Sequence, residues 1–115
     1  MLYLGNSFSV NMLAGDCSVG FSRLATEQAV RHAHDNRESL KSVVGHESTA
    51  LVFSRLLGVE VPTNREAVTL KPGDELLVGA LGARLPEGRV LTGEELKKFP
   101  VIWWLVRVSP AEVGS

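Results

Sequence analysis

Leu40-Lys-Ser-Val-Val-Gly-His-Glu-Ser-Thr-Ala-Leu-Val-Phe-Ser-Arg-Leu-Leu-Gly58 changes its hydrophobic period midway. Leu40 to Val44 is a short apolar run of strand length. Beyond Gly45 and His46, residues Ala50, Leu51, Phe53, Leu56 and Leu57 make a broad apolar face at helical spacing, and Gly58 stands where a left-handed C-cap is wanted. A buried strand that runs straight into an amphipathic helix places that helix on a sheet. The chain therefore mixes strands and helices.

The flanks extend the same alternation. Leu2 to Leu4 reads as a strand ending at Gly5, and Asn6-Ser7-Phe8-Ser9-Val10-Asn11 as a polar loop whose side chains bond locally to backbone. Gly15-Asp16 is a turn signal, Val19 to Leu24 alternates as a strand does, and Thr26-Glu27 opens a helix to about Asp35. The apolar positions of that helix are Ala25, Ala29, Val30 and Ala33, and Asn36 ends it. Downstream, Ala67 to Leu70 and Glu75 to Leu81 are two strands joined by Lys71-Pro-Gly-Asp74, a tight-turn signature that predicts a β-hairpin. Thr92-Gly-Glu-Glu95 fits a capping box for a short helix that stops before Pro100, and Val101 to Val108 is the last strand. The expectation is one α+β domain over residues 1–115, with a mixed sheet of about five or six strands flanked by helices.

Composition narrows the function. Twelve basic residues against 13 acids leave a formal charge of −1, which argues against non-specific binding to long nucleic acid, where many phosphates must be met. A small anion held by a few focused arginines stays compatible with it. No apolar run approaches the roughly 20 residues that span a bilayer, and the first residues lack the basic and apolar regions of a signal peptide. Cys17 is the single cysteine, so it forms neither an intrachain disulfide nor a thiolate cluster. The expected location is the cytoplasm, without membrane or cofactor.

His46 is the leading chemical candidate. A histidine after a glycine is more often structural, but Gly45 permits a sharp corner that exposes the ring. Ser48 and Thr49 are placed to cap the following helix, whose first N–H groups welcome a phosphate. A free imidazole titrates near pKa 6.5, so it gives or takes a proton at cellular pH. Most arginines are solvated surface groups. Arg65, however, follows Asn64 at the mouth of a strand, and Arg84 follows Gly79, Ala80, Gly82 and Ala83, small residues that leave room for a bulky ligand. Glu87 can orient Arg84 or His46, or serve as a solvated loop acid. Asn6, Ser9 and Asn11 follow the first strand, where ligands often sit in α/β sheets.

His32 and His34 are two apart and point to different sides of a helix, so a zinc site is not expected. Trp103 and Trp104 are strand neighbours on opposite faces. One belongs in the core, and the other is covered by a helix or open to a partner subunit.

The pieces Leu-Gly-Asn6-Ser-Phe-Ser9-Val-Asn11-Met-Leu, Gly45-His-Glu-Ser-Thr49, Asn64-Arg65 and Arg84-Leu-Pro-Glu87-Gly88 together resemble the small viral anti-CRISPR ring nucleases of type III systems and their host-associated relatives. The resemblance implies a homodimer that binds cyclic tetra-adenylate and cuts it to linear di-adenylate, switching off the nucleases this messenger activates. It implies catalysis by His46 with Arg84 and Glu87, and contacts to the ring from Asn6, Ser9, Asn11, Ser48 and Arg65, without a metal; Thr49, at the same helix start, joins the expected substrate contacts. Some relatives carry glutamine where this chain has Ala80, and Asp16 to Lys41 matches little. Two alternatives accompany this reading. One is a module that sequesters the messenger uncut, and the other is a small interaction domain that docks through its tryptophans.

Overall fold

The computed structural model describes residues 1–82, 92, 94–95 and 98–111. Its organising strand is β4 (Glu75–Leu81), in which Leu76, Leu77 and Val78 are all buried. A strand buried on both faces needs a neighbour on each side. β4 finds them in β1 (Leu2–Gly5), parallel, and in β5 (Val101–Pro110), antiparallel. β2 (Cys17–Leu24) adds antiparallel to β5, and β3 (Lys41–Ser42) adds parallel to β1. The result is a five-stranded mixed sheet in the order β2-β5-β4-β1-β3, within the expected α+β class.

This arrangement overturns the predicted hairpin. The turn itself forms: Asp74 N donates to Lys71 O, Lys71 N donates to the Asp74 carboxylate, and Gly73 takes φ +98°. Its first arm does not pair with β4. Leu70 instead bridges Leu13 in parallel, and β1 and β5 occupy both edges of β4. β1 and β5 take up the backbone of the Leu-Leu-Val run at both edges, while segment 67–70 packs Val68 and Leu70 onto the face that carries Leu76 and Val78.

The two helices lie on one face. Helix α1 (Thr26–Asp35) has the predicted bounds, with Ala25 as its N-cap; the Ala25 N–H is met by the Gln28 side chain at 2.8 Å. It buries Ala29 and Ala33 completely. Helix α2 (Glu47–Leu57) ends at Gly58, whose φ of +69° is the anticipated left-handed cap. Its buried stripe is Ala50, Val52, Phe53 and Leu57, whereas Leu51 is exposed, so the apolar face is rotated from the predicted one. Leu2, Leu4, Leu77, Trp103 and Leu105 meet the helices from the sheet.

The opposite face is partly covered by the chain that follows β1. A short 3₁₀ turn (Val10–Met12) and the flanking Phe8 and Leu13 cross it, together with Val68 and Leu70, over Leu76, Val78, Val106 and Val108. At the far end of this face Phe21 (56%), Ile102 (39%) and Trp104 (36%) remain exposed. Strand alternation separates the two tryptophans, as predicted, and it is Trp103 that enters the core while Trp104 stays outside. The capping box also forms: Glu95 N donates to Thr92 Oγ1, and Thr92 N donates to the Glu95 carboxylate. Among the described residues no helix is long and apolar enough to cross a membrane.

Candidate functional site

β1, β3 and β4 are mutually parallel, so their carboxyl ends share one edge of the sheet. From that edge the chain leaves as Asn6, as the Gly45-His46 corner and as Gly82. Ligands of open α/β sheets gather at such an edge because each strand delivers a loop there.

The corner is built in steps. The last rung between β1 and the chain leaving β3 is Val43 N donating to Leu4 O at 2.8 Å. Beyond it, residues 64–65 take over from β1. Asn64 N donates to Val44 O at 2.7 Å, its carboxamide donates to Ser42 O at 2.8 Å, and Arg65 Nε donates to Gly45 O at 2.9 Å. The arginine is thereby tied to the residue preceding His46, although 20 positions separate it from Gly45 in sequence. Its terminal guanidinium nitrogens make no hydrogen bond or ion pair among the described residues, leaving a cation beside the corner. Gly45 does not adopt a positive φ. A Cβ there would sit 3.4 Å from Arg65 Cγ, an ordinary contact, so neither backbone conformation nor space demands a glycine at this corner.

His46 is itself the N-cap of α2, in extended conformation (φ −119°, ψ 127°) and exposed. Its carbonyl accepts the Ala50 N–H at 2.9 Å, but no side chain caps the helix. This corrects the expected capping by Ser48 and Thr49, which occupy the second and third helical positions, past the point where a hydroxyl can cap. The consequence favours an anion. The N–H groups of Glu47, Ser48 and Thr49 have no protein partner among the described residues, and they carry the positive end of the helix dipole. Thr49 is 4% exposed, yet its hydroxyl makes no hydrogen bond among those residues.

The other expected residues divide. Asn6 lies at the same edge, directly after β1. Ser9 and Asn11 belong to the strap that crosses the face opposite α2, and the Ser9 hydroxyl already accepts the Asn11 N–H at 3.3 Å. Arg84 and Glu87 lie outside the described residues. The small residues before Arg84 have another explanation: a Cβ on Gly79 would stand 2.6 Å from Phe53 Cζ and 2.7 Å from Trp103 Cζ3. That position is filled by core rings, and the reading of Gly79 as room for a ligand is withdrawn.

His32 and His34 take different partners, as their spacing required. His32 Nε2 lies 3.1 Å from Glu75, which also accepts from Arg107 Nε at 2.9 Å, while His34 packs under Gly58. Among the described residues no three His, Cys, Asp or Glu side chains are placed to share a metal. Asn64 was not singled out for a role in the sequence, because a loop asparagine before an arginine has no periodicity to betray it. A second feature is a groove of about 400 Å³ lined by Phe8, Phe21, Val78, Trp104 and Val106, with Arg23 stacked 5.7 Å above the Trp104 ring.

Residues 2–103 match the family model described as STIV B116-like. Uncharacterized protein 26 of Sulfolobus islandicus filamentous virus is 37% identical over 109 residues, covering 94% of this chain and 92% of that protein. ORF117 of Acidianus two-tailed virus is 37% identical over 98 residues, 84% of each chain. B116 of Sulfolobus turreted icosahedral virus superimposes with a TM-score of 0.82 at 29% identity, covering 92% of this chain and 97% of its own.

Proposed function

The chain belongs to the STIV B116-like family, and from that premise we propose that it is a metal-independent ring nuclease, which binds cyclic tetra-adenylate across a homodimer and cleaves it to linear di-adenylate. The observation that carries the proposal is the Arg65 Nε to Gly45 O hydrogen bond. It ties Arg65 to the residue preceding an exposed histidine, and that histidine starts a helix with open N–H groups, so a proton donor, a cation and an anion-binding helix start belong to one corner.

The chemistry asks little more. In a 3′–5′ RNA ring the 2′-hydroxyl beside each phosphate is the nucleophile. It attacks phosphorus, its proton passes to solvent, the bond to the 5′-oxygen breaks, and His46 gives its proton to that leaving oxygen. Arg84 stabilises the charge of the phosphorane, Glu87 orients these groups, and Arg65, Asn6, Ser48 and Thr49 hold the ring. Ser9 and Asn11, carried by the strap after β1, are the remaining contacts that the resemblance assigns to the ring. A ring of four identical units has a two-fold axis, so a two-fold dimer presents one site to each of two opposite phosphates. The four phosphates then face Arg65 and Arg84 of both subunits. The exposed Phe21, Ile102 and Trp104 supply an apolar face for the second copy. Switching off type III CRISPR signalling in the prokaryotic cytoplasm follows from destroying this messenger.

Incubation of the protein with the ring in EDTA, followed by chromatography of the products, tests the proposal. Linear di-adenylate is expected, and intact ring at stoichiometric protein refutes cleavage. Sequestration without cutting is the second reading, favoured by Ala80, which offers a methyl where some of the resembling ring nucleases carry a carboxamide. Tight binding without turnover over hours selects it.

A further inference from the structure

We propose that Asn64 is a positioning residue for His46, and that it acts through the backbone of Ser42 to Gly45; the catalytic part of this inference rests on the ring-nuclease reading. The imidazole makes no hydrogen bond among the described residues, so its direction follows from the main chain that carries it. That main chain has lost its sheet partner. β3 is only two residues long, and the final bond from β1 is at Val43.

From there to the helix, the exit strand is held by residues 64–65. Asn64 N meets Val44 O, Asn64 Nδ2 meets Ser42 O, and Arg65 Nε meets Gly45 O. Val44 is fully buried between these bonds and is anchored in the helix-side core, so the segment is pinned from the side chain and from its outer edge.

The carboxamide suits this task because it is both donor and acceptor. While Nδ2 donates to Ser42 O, Oδ1 accepts the Glu66 N–H at 3.1 Å, which fixes the orientation of the head group and stiffens its own loop. Aspartate keeps the acceptor, loses the donor and turns a charged oxygen toward a carbonyl. Alanine loses both side-chain bonds and keeps only the main-chain one. In either variant the strand exit is freed on one side, and His46 sits directly after it. A misplacement of about 1 Å at a reacting group can cost roughly a hundred-fold in rate.

The test uses full-length Asn64→Asp and Asn64→Ala in single-turnover cleavage of cyclic tetra-adenylate, beside relaxation of the His46 backbone amide measured by NMR. The expected result is a maximal rate about 10- to 100-fold lower, half-saturation within three-fold of wild type, and a more mobile His46 amide in both variants. An unchanged maximal rate, or loss confined to half-saturation, overturns the catalytic role. A His46 amide as rigid as in wild type overturns positioning itself. If wild type fails to cut the ring, the ring-nuclease reading fails, and the amide measurement still decides whether Asn64 holds the corner. Circular dichroism identifies any variant that has not folded; Asn64→Ser, which retains a shorter donor, then takes its place.

Discussion

Replacing Gly79 by alanine puts a methyl group where two rings already stand. Its Cβ would fall 2.6 Å from Phe53 Cζ, 2.8 Å from Phe53 Cε1 and 2.7 Å from Trp103 Cζ3, each closer than carbon atoms tolerate. Neither ring has room to retreat. Phe53 is fully buried and Trp103 is 1% exposed, with centroids 5.1 Å apart. Among the described residues the indole N–H finds no hydrogen-bond partner, and it is packing that locates the ring. Overpacking of a filled core costs typically 1–3 kcal/mol, and a clash with two rings at once belongs near the upper end, about 2–3 kcal/mol. For a domain of this size that corresponds to a melting temperature lowered by roughly 10 °C. Urea denaturation followed by tryptophan fluorescence and thermal melting by circular dichroism both read it. A melting point within 2 °C of wild type, accompanied by weaker ring binding, would refute the packing argument and restore Gly79 to the ligand's side of the account.

His46→Ala is expected to slow ring cleavage at least a hundred-fold while leaving affinity, measured by calorimetry, within a few-fold. Arg65→Ala removes a charge-assisted contact and is expected to weaken binding of the ring about 10- to 100-fold in the same calorimetric experiment; unchanged affinity would remove Arg65 from the site. Phe21→Asp places a carboxylate on the exposed apolar face and should abolish the proposed dimer, leaving a monomer by light scattering. Glu75→Gln weakens its links to His32 and Arg107, but these groups are partly solvated, the Arg107 side chain 63% exposed. The loss in urea titration should therefore not exceed about 1 kcal/mol, and 3 kcal/mol would mean that the pair behaves as buried.

Much of this fold was legible one segment at a time. The helix over Thr26–Asp35 shows a short-range period, and so does the helix ended by Gly58. The placement of Trp103 and Trp104 on opposite faces follows from strict alternation, while packing decided that Trp103 is the inward one. Errors arose where two solutions satisfied the same local pattern. Lys71-Pro-Gly-Asp74 forms its turn in either topology, and only competition among β1, β5 and segment 67–70 for the edges of β4 settled which one pairs. Leu51 and Val52 differ by one step around the helix, and the sheet beneath chose Val52.

Of the candidate site, His46 and Arg65 were visible as residue types, since imidazole and guanidinium chemistry belong to single side chains. Their meeting was not visible. It depends on residues 64–65 lying along the exit of β3, a contact with no sequence period. The same holds for Gly79, whose meaning came from Phe53 and Trp103, distant in the chain and adjacent in space.

The amino-acid order by itself settled class, the two helices, the near-neutral charge and the chemical groups on offer, because each is a property of neighbouring residues. The three-dimensional arrangement alone decided strand order, which face stays uncovered, and which groups share the corner at His46. Those outcomes come from segments competing to bury the same apolar surface and to satisfy the same backbone carbonyls, and such competition is resolved only when the whole chain is packed.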